Sequence, residues 1–105
     1  MNILLDECTP HAVKKRLPHL VIRTVQEMGW SGVKNGALLK LAEQRFDVFI
    51  TTDKNLRYQQ NLTRVQLAFL LLPTNSVPVV IALLPQIEAA LSTIQPGNFV
   101  EIPLP

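Results

Sequence analysis

The sequence has little cysteine: Cys8 is the single thiol in 105 residues. One thiol excludes an internal disulfide and cannot by itself build a thiolate zinc site. The first residues also lack the charged leader and cleavable apolar stretch that form a secretory signal. We therefore expect the protein to act in a reducing cytoplasm.

Long apolar runs are also absent. The most apolar segment, residues 65–85, is interrupted by Pro73, by Pro78 and by the polar residues between them. A membrane-spanning helix needs about 20 consecutive apolar residues, so this segment is predicted to be a buried strand, a turn and a helix. We expect no membrane partner.

The sequence shows no repeat and no low-complexity block, and what it does contain is typical of a folded domain. With 48% hydrophobic residues in 105 positions, residues 1–105 are predicted to form one domain around one core. The formal net charge is +2 at pH 7. A mildly basic surface permits a polyanionic partner without requiring one.

Short apolar segments alternate with helical patterns along the chain. We predict five strands, in the segments 2–5, 19–25, 48–52, 67–72 and 99–103. This alternation is typical of an open, mostly parallel α/β sheet with right-handed crossovers and helices on both faces. The predicted strand order is 2-1-3-4-5, with the last strand at an edge.

The first two helices have recognisable start signals. Thr9 followed by Pro10 predicts an N-cap and a first helical residue, and Pro18 ends that helix. Asn35 is predicted to cap a second helix that covers about 37–44.

Two further helices are predicted from apolar spacing. A short helix should carry Leu56 and Leu62 at its ends. The last helix should run from residue 76 to residue 94 and bend at Pro85, because proline has no N–H and crowds the preceding turn.

Acidic residues follow two of the buried strands. Asp6 follows the first strand and Asp53 follows the third. In a parallel sheet the carboxyl ends of neighbouring strands meet at one edge, so the two side chains should lie about one strand spacing, or about 4.8 Å, apart. The alternative is that each aspartate simply caps the helix that follows it.

Two close carboxylates repel unless a cation lies between them. Mg²⁺ is the expected ion, because hard divalent cations prefer oxygen ligands and can promote attack of water on a phosphodiester. Asp6 and Asp53 are its predicted ligands. Glu7 can reach the same ion only if the chain has already turned, since adjacent residues of an extended strand face opposite sides.

Basic and aromatic residues supply candidates for nucleic-acid binding. Lys54, Arg57 and Arg64 flank Asp53, where a phosphate backbone would run. Lys14 and Lys15 end the first helix, where they form either a phosphate track or a solvated face.

The aromatic candidates are Trp30 and Tyr58, each of which can stack on a base or pack in the core. Cys8 and the two histidines show no site spacing and are predicted to be structural.

The segments "LLDEC", "GWSGVKNGALLKLA" and "VFITTDKNL" together resemble the small PIN-like domains that are related to PIN-domain toxin nucleases. The resemblance spans nearly the whole chain in order and spacing. It implies a three-layer α/β/α fold, a Mg²⁺- or Mn²⁺-dependent ribonuclease site, an antitoxin partner and a homodimer.

The resemblance also assigns residues. Asp6, Glu7 and Asp53 match acids of the family, whereas Asn35 and Asn55 stand where the family has further acids. An asparagine can lend a carbonyl oxygen to a metal but supplies no charge. Two functions therefore remain open: a metal-dependent ribonuclease, or a degenerate PIN-like module that binds RNA or a partner protein without catalysis.

Overall fold

A computed structural model of the chain describes residues 1–59, 61–62 and 65–105. The strands within these ranges are β1 (Asn2–Leu5), β2 (Val21–Thr24), β3 (Val48–Thr51), β4 (Ala68–Leu71) and β5 (Phe99–Glu101). The helices are α1 (Ala12–Arg16), α2 (Asn35–Arg45), α3 (Leu56–Gln59), α4 (Val77–Ala82) and α5 (Leu84–Thr93).

The five strands form one sheet in the order β2-β1-β3-β4-β5. Every neighbouring pair is parallel, and Leu4 of β1 lies beside Arg23 of β2 and Phe49 of β3. The predicted α/β class and strand order are therefore confirmed, with β5 at an edge. The predicted strands are one to three residues longer than the observed ones, except for β1, whose bounds agree.

Helices cover both faces of the sheet, and the sheet divides the core into two layers. On one face, Ile3 and Leu5 of β1 belong to the cluster that includes Val80 of α4 and Ile87 of α5. On the other face, Leu4 packs in the cluster that includes residues of α2 and the phenylalanines of β3 and β4. Because successive strand residues face opposite sides, strands that are apolar throughout are buried on both faces.

The start of α1 differs from the prediction. The helix begins at Ala12, and His11, not Thr9, holds the N-cap position. Thr9 lies in the turn that leaves β1, and its buried hydroxyl donates to the carbonyl of Ile50 at 3.4 Å. The capping prediction for Thr9 is wrong because its hydroxyl is used by β3 instead.

The start of α2 also differs. Lys34 holds the N-cap position and Asn35 is the first helical residue. Asn35 is therefore not the cap, and its side chain turns toward Asp53, as described below.

The predicted long C-terminal helix is two helices. Leu83 ends α4 and precedes α5, in which Pro85 occupies the first turn. Proline is well accommodated there because the first-turn N–H groups of a helix have no partner within it, whereas inside a continuous helix Pro85 would leave the carbonyl of Ile81 without a donor. Similarly, α3 ends at Gln59, so Leu62 lies beyond it.

The apolar segment 65–85 contains β4, a loop and α4, as predicted. The longest helix in the described part of the chain, α2, has 11 residues. Within the ranges that the structure describes, no helix has the length and apolar character needed to cross a bilayer.

Candidate functional site

The candidate site lies at the carboxyl ends of β1 and β3. The chain passes from β1 to β2 on one side and later returns to β3 on the other side, so the winding direction changes between β1 and β3. In open parallel sheets, this is where the crevice forms that holds ligands. Asp6 continues the ladder beyond β1, because its N–H donates to the carbonyl of Ile50 at 2.9 Å.

Thr51 connects the two predicted aspartates. Its hydroxyl donates to Oδ2 of Asp6 at 2.7 Å and accepts from the backbone N–H of Asp53 at 3.0 Å. The side chain of Thr51 is completely buried. The hydroxyl therefore holds the Asp6 carboxylate in a fixed position relative to the loop that carries Asp53.

Asp53 is held by its own loop and by α2. Its Oδ1 accepts from the N–H of Asn55 at 3.0 Å, and its Oδ2 accepts from Nδ2 of Asn35 at 3.4 Å. The first of these bonds lies in the turn before α3, which begins at Leu56, so the Asp53 carboxylate orders this turn.

Within the described ranges, the Asp6 carboxylate forms no hydrogen bond with α1. Its Oδ1 accepts from the N–H of Glu7 at 2.8 Å, within the turn after β1. Its Oδ2 accepts from the Thr51 hydroxyl and from Sγ of Cys8, the latter at 3.4 Å. The alternative in which Asp6 caps the first helix therefore has no supporting contact.

Glu7 is exposed and faces the glycine-bounded loop after β2. Its Oε1 accepts from the N–H of Gly32 at 2.9 Å. Gly32 has a φ of +79°, a conformation that glycine adopts without steric cost. Glu7 thus fixes this loop against the end of β1.

The two asparagines occupy different positions. The half-buried amide of Asn35 contacts Asp53 directly, whereas the contact of Asn55 with Asp53 is through its backbone N–H. Asn35 is therefore the better placed of the two to offer an amide oxygen beside Asp53.

Cys8 belongs to this cluster although the sequence suggested a structural role. Besides its contact with Asp6, its sulfur accepts from the hydroxyl of Thr52 at 3.0 Å. Thr51 was also missed. The signal available was a threonine pair that ends an otherwise apolar strand directly before an aspartate.

The chemistry of the donors fits a hard divalent cation. Asp6 and Asp53 supply two carboxylates, and Mg²⁺ usually takes one or two protein carboxylates and completes its shell with water. A carboxylate oxygen that accepts one hydrogen bond retains a second lone pair for a cation. In the described ranges, no group of three or more histidine, cysteine, aspartate or glutamate side chains forms a metal-binding cluster.

The predicted basic residues have different surroundings. Arg57 pairs with Oε1 of Glu101 at 3.2 Å, and its guanidinium carbon lies 3.9 Å from the centre of the Phe99 ring. Lys54 is exposed and has no ion pair within the described part of the chain. Arg64 lies outside the described residues.

The lysines of α1 differ from each other. The ammonium of Lys14 pairs with Glu27, and Lys15 is exposed. A phosphate that approached Lys14 would therefore compete with a carboxylate already bound there.

This ion pair makes a test in solution possible. The hydrogen bond from Lys14 and a backbone bond from Thr24 lower the pKa of Glu27 from 4.5 to about 2. Because the folded pKa lies below the ordinary value, the stabilisation is present above about pH 4.5 and is lost as the pH falls toward 2. Lys14→Met should raise the pKa of Glu27 toward 4.5 in an NMR titration of its carboxyl carbon. Lys15→Met is the control, and an unchanged Glu27 pKa in Lys14→Met would contradict the assignment.

The two aromatic candidates, Trp30 and Tyr58, differ in their exposure to solvent. Trp30 is half-buried and makes an edge-to-face contact with Phe46, with ring centres 6.0 Å apart. Its surroundings are those of a core residue. Tyr58 is 80% exposed, so packing in the core does not explain it.

Comparison of the chain with family models, with curated proteins and with solved structures found no match. The fold and the site define a class of protein: a parallel α/β protein in which Thr51 links two aspartates at the switch point.

Proposed function

We propose that the protein is a Mg²⁺- or Mn²⁺-dependent ribonuclease of the PIN-like toxin type. The observation that supports this most strongly is the shared contact of Asp6 and of the Asp53 backbone with the buried Thr51 hydroxyl. A pair of acids held in this way at a switch point supplies negative charge where a parallel sheet binds its ligand. Structural capping does not require such a link.

Asp6 and Asp53 would hold the ion, with the amide of Asn35 beside them. When bound, such an ion lowers the pKa of water and offsets the negative charge that develops on a phosphodiester. Glu7 positions the loop after β2, and Lys54 provides a cation for RNA phosphate. Asn55 orients Asp53 through its backbone.

The partners follow from the same proposal. We propose RNA as the substrate, an antitoxin protein as the inhibitor, and a homodimer as the assembly, all in the cytoplasm. The substrate, the inhibitor and the assembly rest on the resemblance to the PIN-like family, and the cytoplasmic location rests on the single cysteine.

The test is metal removal. Purified protein should cleave a mixed-sequence single-stranded RNA in the presence of Mn²⁺, and excess EDTA should abolish that cleavage. Restoring Mn²⁺ after chelation should restore cleavage, which separates loss of the ion from loss of the fold. Cleavage that continues in EDTA would contradict a metal-dependent mechanism.

A second function is favoured by one specific feature of the site. Each oxygen of Asp6 and Asp53 already accepts a bond from a protein donor, and the two asparagines add no charge. A degenerate PIN-like module that binds RNA or a partner protein without catalysis fits this arrangement. It would retain RNA in a salt-sensitive manner, would ignore EDTA and would show no turnover with Mn²⁺.

A further inference from the structure

A cavity of about 440 Å³ lies beside the acidic site, at the carboxyl ends of β4 and β5. Its walls come from the loop after β3, from α3 and from the two chain segments that leave β4 and β5. This volume is within the range of about 300–1,000 Å³ that small ligands occupy. The side chains that line the cavity indicate which kind of ligand it can bind.

The cavity combines an aromatic ring with apolar surface. Tyr58 is 80% exposed and Leu104 is 63% exposed, and both line the cavity together with Leu72 and Pro73. Pro73 is half-buried, so it adds accessible apolar surface to that of Leu104. An exposed tyrosine ring beside apolar surface is a place where a planar group can stack.

The polar part of the cavity favours an anion and a hydrogen-bonding edge. Glu101 lines it but pairs with Arg57, so the charge of Glu101 is offset. Lys54 also lines it and makes no ion pair with any described residue. Asn55 adds a side-chain amide, which can both donate and accept hydrogen bonds.

Two residues that line the cavity lie next to Asp53 in the chain. Lys54 and Asn55 follow Asp53 in the chain, and the N–H of Asn55 donates to Oδ1 of Asp53 at 3.0 Å. A chain that crosses the acids can therefore place its next unit here.

We propose that this cavity binds one nucleobase of single-stranded RNA. The base stacks on Tyr58, its edge meets the amide of Asn55, and the adjoining phosphate lies near Lys54. The position of this subsite beside a scissile bond rests on the proposed ribonuclease function. The binding itself does not, because it requires neither a metal nor cleavage.

The experiment measures binding without catalysis. A fluorescein-labelled 2′-O-methyl RNA hexamer, which resists hydrolysis, is titrated with protein in EDTA and followed by fluorescence anisotropy. Tyr58→Ala should weaken binding about tenfold, and Tyr58→Phe should retain affinity because the ring is preserved. Circular dichroism should show the same thermal unfolding for both variants and the parent protein, since Tyr58 is a surface residue.

Two lysine variants test the phosphate contact. Lys54→Ala should make the negative slope of log affinity against log salt concentration shallower by about 0.7. Lys40→Ala, which removes the same charge from the exposed surface of α2, should leave the slope unchanged. Equal slopes in both variants would remove Lys54 from the subsite.

Tyr58 is the single tyrosine in the chain, so selective labelling gives one set of ring signals in an NMR spectrum. These signals should shift when the hexamer is added. Unchanged signals, absence of RNA binding, or equal affinity of Tyr58→Ala and the parent protein would each overturn the subsite. Weakened binding by Tyr58→Ala in a protein that never cleaves RNA would support the subsite while contradicting the ribonuclease proposal.

Discussion

Asp53→Asn should lower the rate of Mn²⁺-dependent RNA cleavage by about 100-fold or more. The substitution keeps the size of the side chain but removes one of the two negative charges that the site offers to a cation. A bound metal contributes several kcal/mol of charge stabilisation, and about 2.7 kcal/mol corresponds to a 100-fold change in rate. The measurement is a cleavage time course at saturating Mn²⁺ with equal amounts of folded protein.

The local structure should tolerate this change. An asparagine at position 53 can still accept from the N–H of Asn55 through its amide oxygen. The amide of Asn35 can then rotate and present its own oxygen to the new NH₂ group. Loss of cleavage would therefore report on charge at the site and not on unfolding.

Asp47→Asn is the matched control. Asp47 precedes β3, so it lies at the opposite edge of the sheet, where its Oδ2 accepts from the N–H of Asn2 at 2.7 Å. The Asp47→Asn substitution removes the same charge as Asp53→Asn. It should leave the cleavage rate within about twofold of that of the parent protein, because a charge across the domain is screened by salt. If Asp53→Asn cleaves as fast as Asp47→Asn, the acids at the switch point do not perform the reaction.

The sequence predicted the strand order, and with it that Asp6 and Asp53 follow neighbouring parallel strands. Both follow from general rules: alternating strands and helices give right-handed parallel crossovers, and parallel strands bring their carboxyl ends to one side. The apolar residues on both faces of β1 and β3 were enough to apply those rules. Local pattern and global topology agree here.

Contacts between side chains that are distant in sequence could not be read in the same way. Thr51 reaches Asp6 across 45 positions, and Glu7 reaches Gly32 across 25. A short polar side chain such as Thr9 is equally consistent with a helix cap and with a bond to a neighbouring strand. Only the packed sheet decides between these partners.

The break at Pro85 has a different cause. Helical spacing of apolar residues continues across it, so the sequence pattern favoured one bent helix. That pattern records which side chains are buried. It does not show whether the backbone hydrogen bonds between the two halves are made. Two short helices bury the same side chains and place Pro85 in a first turn, where a helix needs no N–H.

Phe69→Ala should reduce the free energy of unfolding by about 3–5 kcal/mol. Phe69 in β4 is 2% exposed and lies between two other rings. It meets Phe49 edge to face at 6.3 Å between ring centres, and it stacks on Phe99 at 5.7 Å. Truncation would leave a cavity in the layer that also holds the start of α3, and total stabilities of small domains are only about 5–15 kcal/mol.

Phe99→Ala provides the matched comparison because Phe99 is half-buried in the edge strand β5. Its ring has solvent on part of its surface, so its removal should cost less than removal of Phe69. Trp30 is the single tryptophan and packs in the same layer, so its fluorescence during urea denaturation reports on both variants. Equal losses of stability would mean that the packing of β5 against Arg57 contributes as much as the central ring. In that case the edge strand β5, next to the proposed nucleobase subsite, would contribute as much to the free energy of unfolding as the central strand β4.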